Sequence, residues 1–139
     1  MFELFEHKAD VGVRGIGKTA EEAFAECAKA MFSVMVELES VKPEESVKVK
    51  ASARNENELL LKWLNELLYE GSVKEMVFCE FEVQIRKGKK GFELRGTARG
   101  ESIHPKKHKL KTEVKGASYS GLSVRRENGR VIAQCIVDV

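Results

Sequence analysis

Two aspartates are the residues through which this sequence can be read for chemistry. Of its 22 acidic residues twenty are glutamates, and only Asp10 and Asp138 carry the short carboxylate. Asp138 closes the run Arg130–Val139, which is apolar at almost every position and rich in β-branched residues. That is the pattern of a strand covered on both faces. A carboxylate at the end of such a strand loses hydration, and the α-carboxylate of Val139 beside it adds a like charge. It needs a cation, a basic side chain or backbone N–H groups to compensate. Asp10 ends the polar turn Glu6-His7-Lys8-Ala9-Asp10, which is dense in ligating groups. If the two aspartates meet, their carboxylates and the terminal carboxylate of Val139 make an all-oxygen site, with Glu6 and His7 as supporting groups. Such a site suits Ca²⁺, Mg²⁺ or Mn²⁺ and not zinc. The plainer alternatives are that Asp10 caps backbone N–H groups in a solvated turn, and that Asp138 pairs with a nearby lysine or arginine.

Other constellations point less far. His104 and His108 have the i, i+4 spacing of a helical zinc pair, but Pro105 and the neighbouring lysines predict a loop with surface histidines. The stretch Lys106-Lys107-His108-Lys109-Leu110-Lys111, with Lys115 and Arg125-Arg126, could contact phosphates. No aromatic interleaves it, as a stacking platform for single strands requires, so a solvated face or a docking patch explains it as well. Cys27, Cys79 and Cys135 sit in apolar settings without metal-ligand spacing and read as buried free thiols. No phosphate-binding loop or nucleophile elbow is present.

The elements that must position the aspartates follow from the periodicity. At 139 residues, with 42% hydrophobic and 33% charged residues, the expectation is one globular domain over residues 1–139. No apolar run is long enough to span a bilayer and Met1-Phe2-Glu3 begins no signal peptide, so a cytoplasmic location is expected. Residues 1–70 carry 9 basic and 14 acidic groups, net −5, and residues 71–139 carry 15 and 8, net +7, which gives the overall +2. Strands are predicted over 2–7 and 11–17. Thr19 with Glu22 is a capping box that opens a helix with Phe24, Cys27, Met31 and Met35 on one stripe. A short strand at 47–51 precedes a second helix, capped by Asn55, apolar at Leu60, Trp63, Leu64 and Leu67, and ended by Gly71. Alternation over 77–86, a turn at Gly88–Gly91, a partner strand to Gly100, a further strand from Leu110, and an Asn128-Gly129 type I′ turn complete the reading. This order predicts an α+β fold, a two-layer domain with two helices on one face of a largely antiparallel sheet. Strands 2–7 and 130–138 are expected close together, bringing Asp10 to Asp138.

Three stretches occur in order: Phe5-Glu6-His7-Lys8-Ala9-Asp10-Val11-Gly12, the helical Glu58-Leu59-Leu60-Leu61-Lys62-Trp63-Leu64-Asn65-Glu66-Leu67-Leu68-Tyr69, and Glu113-Val114-Lys115-Gly116-Ala117-Ser118-Tyr119 with the ending Asp138-Val139. Together they resemble the archease family, which supports the RNA-splicing ligase RtcB. Lys8, His104, Gly116 and Ser120 depart from the family pattern. The resemblance implies a protein cofactor, not itself an enzyme, that promotes RtcB guanylylation and turnover in tRNA splicing. It implies a divalent metal, Ca²⁺ first among them, held by Asp10, Asp138 and Val139. It also implies functional roles for Asp10, Lys115 and Asp138, with an indirect contact to tRNA and no membrane partner. The rival readings are a metal-dependent phosphoesterase and a stand-alone RNA-binding module.

Overall fold

Alternating apolar and polar residues mark β3 (Glu45–Ala53) and β4 (Met76–Gly88) most clearly among the described strands, which also include β1 (Phe2–His7), β2 (Asp10–Gly17), β5 (Gly91–Ser102), β6 (Gly116–Glu127) and the largely apolar β7 (Arg130–Asp138). The structure, a computed structural model, describes residues 1–7 and 10–139; Lys8, Ala9 and the His7 side chain lie outside the described residues. Every pairing between these strands is antiparallel. They form two sheets, one ordered β1-β2-β7-β6 and the other β3-β5-β4. The helices α1 (Ala20–Met35) and α2 (Glu56–Lys74) complete the α+β fold. Each helix packs against both sheets. On α1, the Cys27 thiol points at the Val13 carbonyl of β2, while the Phe32 ring stands 5.4 Å from Phe78 and 5.6 Å from Phe81 of β4. On α2, Trp63 is fully buried, meets Phe81 edge-on at 6.3 Å and donates its indole N–H to the Phe24 carbonyl of α1 at 3.1 Å. The helices have to be apolar on more than one side to do this, and α1 buries eight of its sixteen residues. No described helix is long and apolar enough to cross a membrane.

The helix starts follow their sequence signals. The Thr19 hydroxyl accepts from the Glu22 N–H at 3.1 Å, and Glu22 reaches back to the Lys18 N–H at 2.8 Å. Asn55 Oδ1 accepts from the Glu58 N–H at 2.9 Å. The end of α2 is a correction: Gly71 does not terminate it. The helix runs on to Lys74 and stops at Glu75, which is left-handed (φ 52°) and donates its N–H to the Gly71 and Ser72 carbonyls. Gly71 is glycine for a different reason. It is buried, and a Cβ there would stand 3.1 Å from the Met76 carbonyl oxygen. Asn128 and Gly129 both have positive φ, 51° and 74°, as a type I′ turn requires.

The stretch from Ile103 to Lys115 differs most from the sequence reading. The strand expected from Leu110 is a single bridge to Val36. Residues 109–112 instead cover the end of α1. Lys111 and Thr112 donate their N–H groups to the Met35 and Val34 carbonyls at 2.8 and 3.2 Å. These are last-turn carbonyls that a helix leaves without partners. Lys111 Nζ adds a bond to the Ser33 carbonyl at 3.1 Å, supplying a cation at the negative helix end.

His108 is likewise not a surface histidine; it is buried, whereas His104 is exposed. The His104 N–H donates to His108 Nδ1 at 2.9 Å, so the ring proton sits on Nε2, 3.0 Å from Glu101. Glu101 also accepts from Lys107 Nζ at 2.6 Å and the Lys42 N–H at 2.7 Å. These bonds, His108 foremost, hold its carboxyl down at about 2 from an ordinary value near 4.5. A depressed carboxyl stabilises the fold above its unfolded value and loses that contribution as protons bind. Urea midpoints should therefore fall as pH drops from about 4.5 toward about 2. Glu101→Gln should lower the midpoint at pH 7 and flatten the profile across that window.

Candidate functional site

The register of β2 on β7 decides where the aspartates go. Val11 pairs with Val137, Gly12 with Ile136 and Val13 with Cys135. The paired register ends at Val11 and Val137; carried one residue further it would set Asp10 opposite Asp138. Opposed antiparallel residues project to the same side, with Cβ atoms roughly 5 Å apart. Val137 is fully buried toward the helices, so alternation puts both aspartates on the outer face. On the other side of β7, Gly116 pairs with Asp138, and the Lys115 N–H donates to the Asp138 carbonyl at 2.8 Å. His7 pairs with Asp10 through the backbone of β1. One row across the sheet thus reads His7, Asp10, Asp138 and Gly116, with Lys115 at its edge.

Several expectations change here. The strand beside β7 is β2; β1 is the edge strand, one place further away. Asp138 is exposed and Asp10 half-buried, so loss of hydration does not strain Asp138 as its apolar strand suggested. Lys115 is exposed, and its link to Asp138 is made by the backbone. Among the described residues no side-chain ion pair joins the two. Val139 is half-buried against the main core. Glu6 pairs with Val11, in the row on the opposite face from Asp10, and does not support the carboxylates. The His7 side chain and Lys8 lie outside the described residues. Among the described residues no three His, Cys, Asp or Glu side chains cluster as a ready metal site. Cys27 and Cys135 are buried free thiols, Cys79 a half-buried one. Burial pushes the Cys135 thiol up to about 11 and the Cys27 thiol up as well, which disqualifies both as nucleophiles.

Inward from the carboxylates the outer face is built in rows. The next row pairs Phe5 with Gly12 and Gly12 with Ile136. The Phe5 ring occupies the space over Gly12, coming within 2.2 Å of where a Cβ would be. Only glycine lets the ring lie across β2. The Arg14 guanidinium stacks on the same ring, 4.5 Å from its centre, and bonds Glu3 at 2.9 Å and Gln134 at 3.1 Å. Asn65 is the site residue that the sequence reading missed. From α2 its Oδ1 accepts from the Ala117 N–H at 2.9 Å, and its Nδ2 donates to the Ala117 carbonyl at 3.3 Å. The side-chain amide acts as a one-residue strand partner. It fixes the start of β6, and with it Gly116 and Lys115, beside Asp138. Its place one turn before Tyr69 in a motif otherwise devoted to core packing was the available signal.

Residues 2–139 match the Archease protein family. The chain belongs to the archease family. It is 39% identical to the protein archease of Methanopyrus kandleri, with 99% of each chain covered. It is 38% identical to that of Pyrococcus abyssi, covering 99% of this chain and 98% of the relative. The solution structure of Methanobacterium thermoautotrophicum protein 1598 superposes with a TM-score of 0.88 at 34% identity, covering 99% and 98% of the two chains. A Thermotoga maritima archease, described as a possible chaperone, shares the fold at a TM-score of 0.58 and 18% identity, covering 97% and 94%. Of the archease-pattern departures, Gly116 is benign: a Cβ there would stand 3.7 Å from Asn65 Oδ1, an ordinary contact. His104 and Ser120 are exposed. Asn65→Ala removes both bonds to Ala117, a loss of about 1–2 kcal/mol. Amide exchange at Ala117 should accelerate by about tenfold, while exchange in β3 and β4 should not change.

Proposed function

We propose that this protein is a cofactor of the RNA-splicing ligase RtcB, promoting its guanylylation and repeated turnover in tRNA splicing, and that the row Asp10–Asp138–Lys115 is what it presents to the ligase. The observation that carries this reading is the convergence of these three residues, from separate parts of an archease chain, at one end of one sheet, the aspartates on neighbouring strands and Lys115 tied by its N–H to the Asp138 carbonyl. Among the described residues the row is anionic, with Lys115 as the cation at its border. A compact set of carboxylates of this kind complements a metal-bearing or nucleotide-bearing centre in a partner. Lys115 supplies a point charge for a phosphate. A groove of about 720 Å³ runs on from Lys115 past Asn65 and the exposed Tyr69 and Leu110, leaving room beside the row for a partner's chain.

For a divalent cation the donor chemistry fits: Asp10 and Asp138 offer hard oxygens from facing positions. They would hold it, with a Val139 carboxyl oxygen as the third donor that the family pattern implies. A bound cation would neutralise the paired carboxylates and lend positive charge to an incoming phosphate. The chain's own part is to hold the two carboxylates side by side through the β2–β7 ladder and to keep Lys115 within reach through its bond to the Asp138 carbonyl.

Asp138→Asn tests the reading. The side chain is exposed, so melting should move by no more than about 2 °C. Multiple-turnover ligation by RtcB with excess RNA should fall to the level seen without this protein. A variant that melts lower yet keeps full specific activity would mark Asp138 as structural. Calorimetry with Ca²⁺, Mg²⁺ and Mn²⁺ should show binding to the native chain that is lost in the double variant Asp10→Asn, Asp138→Asn. The chain alone should leave phosphoesters and RNA intact.

A further inference from the structure

The basic residues that stand out in the sequence are largely engaged within the fold. Lys107 is paired with Glu101, and Lys111 with Glu37. Arg126 makes a two-pronged pair with Glu56 at 2.9 and 3.0 Å, and Arg125 bonds Glu127. A different set of cations gathers elsewhere, contributed by three separate parts of the chain. Arg54 follows β3, Lys62 lies on α2, and Arg86, Lys87, Lys89 and Lys90 belong to the β4–β5 hairpin. Five of them line one open cleft of about 930 Å³, whose acidic residues are only Glu58 and Glu93. Lys87 stands at its rim, 5.9 Å above the Phe92 ring. Among the described residues none of the six takes part in an ion pair within 4.0 Å.

The backbone is built to hold these charges together. Gly91 has φ +138° and approaches β3 so closely that a Cβ would stand 2.3 Å from the Ala53 carbonyl oxygen. That contact brings the Lys89-Lys90 turn onto the Ala53-Arg54 end of β3. Lys62 is anchored from the other side by its bond to the Ser52 carbonyl at 2.8 Å. Five cations against the two carboxylates Glu58 and Glu93 leave the cleft net positive, a field that a polyanion would meet.

We infer that this cleft is a docking site for the sugar–phosphate backbone of a nucleic acid, engaged without regard to sequence. A protein interface is depleted of charge and enriched in aromatic residues at its core, and a lipid surface takes up exposed large apolar side chains. The large exposed hydrophobic residues Met1, Phe2, Leu4, Tyr69, Val73, Leu110 and Tyr119 all lie outside the cleft, whose side chains are mostly charged. A single aromatic ring, Phe92, is too little for stacking on successive bases. What remains is a concave array of cations, the feature that recognises phosphates through counterion release. This site is separate from the Asp10–Asp138–Lys115 row and stands whether or not that row engages RtcB.

The test is fluorescence anisotropy of the full chain with a labelled RNA hairpin, a DNA duplex of equal length and a polyglutamate peptide, across a salt series. Both nucleic acids should bind, with log K falling linearly in log salt. Arg54→Glu, Lys89→Glu, Lys90→Glu together should weaken binding by at least about tenfold near 50 mM salt and reduce the slope by about 2 to 3. The control Lys106→Glu, Lys109→Glu should change binding less than about threefold, and circular dichroism should show both variants folded. Absence of nucleic-acid binding at low salt, equal loss in the control, or preference for polyglutamate over both duplexes would overturn the inference.

Discussion

The pairing of β2 with β7 is the constraint on which the rest of this molecule depends. It joins the second strand of the chain to its last one, so every residue between them is folded inside that closure. It also sorts side chains by face. In this register Val11, Val13, Val137 and Cys135 meet the helices, while Gly12, Ile136 and the two aspartates face outward. Because the side-chain period of a strand is two, a slip of one residue would exchange the faces. Asp10 and Asp138 would turn into the apolar core and the valines would be stranded outside. The burial of those valines therefore enforces the position of the carboxylates. The hydrophobic effect does the positioning, although no apolar group takes part in the site.

Much of this was legible in the sequence because the signals were local. Thr19 and Asn55 cap their helices where a hydroxyl or amide three residues before a glutamate predicts it. The alternation of Val77 to Ile85 and the Asn128-Gly129 turn gave β4 and the last hairpin for the same reason. Errors arose where a residue's role depends on a distant segment. Gly71 carries the usual sign of a helix end, but what requires glycine there is the Met76 carbonyl coming back against the helix. His108, in a stretch of lysines, reads as solvated until Glu101, seven residues earlier at the end of β5, is seen to meet it in the interior. The apolar positions after Leu110 suggested a strand; what they cover is the exposed end of α1, whose carbonyls compete for the same backbone N–H groups.

The candidate site was legible in a different sense. The scarcity of aspartate singled out Asp10 and Asp138, and the fold sets them side by side, but the reason first given for Asp138 does not hold. Its strand is buried; its own side chain is not. Asn65 could not be found by composition at all, since its contribution is to imitate backbone: both polar atoms of its amide are used on Ala117. Such a role appears only when α2 is packed on β6.

These details separate what holds the site from what the site offers. Lys115 is tied by its N–H to the Asp138 carbonyl, Ala117 by both backbone groups to Asn65, and Asp138 follows a continuous ladder to β2. None of these bonds uses the carboxylates of Asp10 or Asp138 or the ammonium of Lys115. Charged groups that help to hold the fold behave otherwise here: Glu101 accepts three bonds in the interior, and Arg14 is stacked on Phe5 and bonded to Glu3 and Gln134. A side chain that satisfies its neighbours in this way has little left for a partner. Those of the carboxylate row are placed by main-chain bonds and project from a face whose interior rows are already tied together. That division makes the row's geometry, among the described residues, independent of its charged groups.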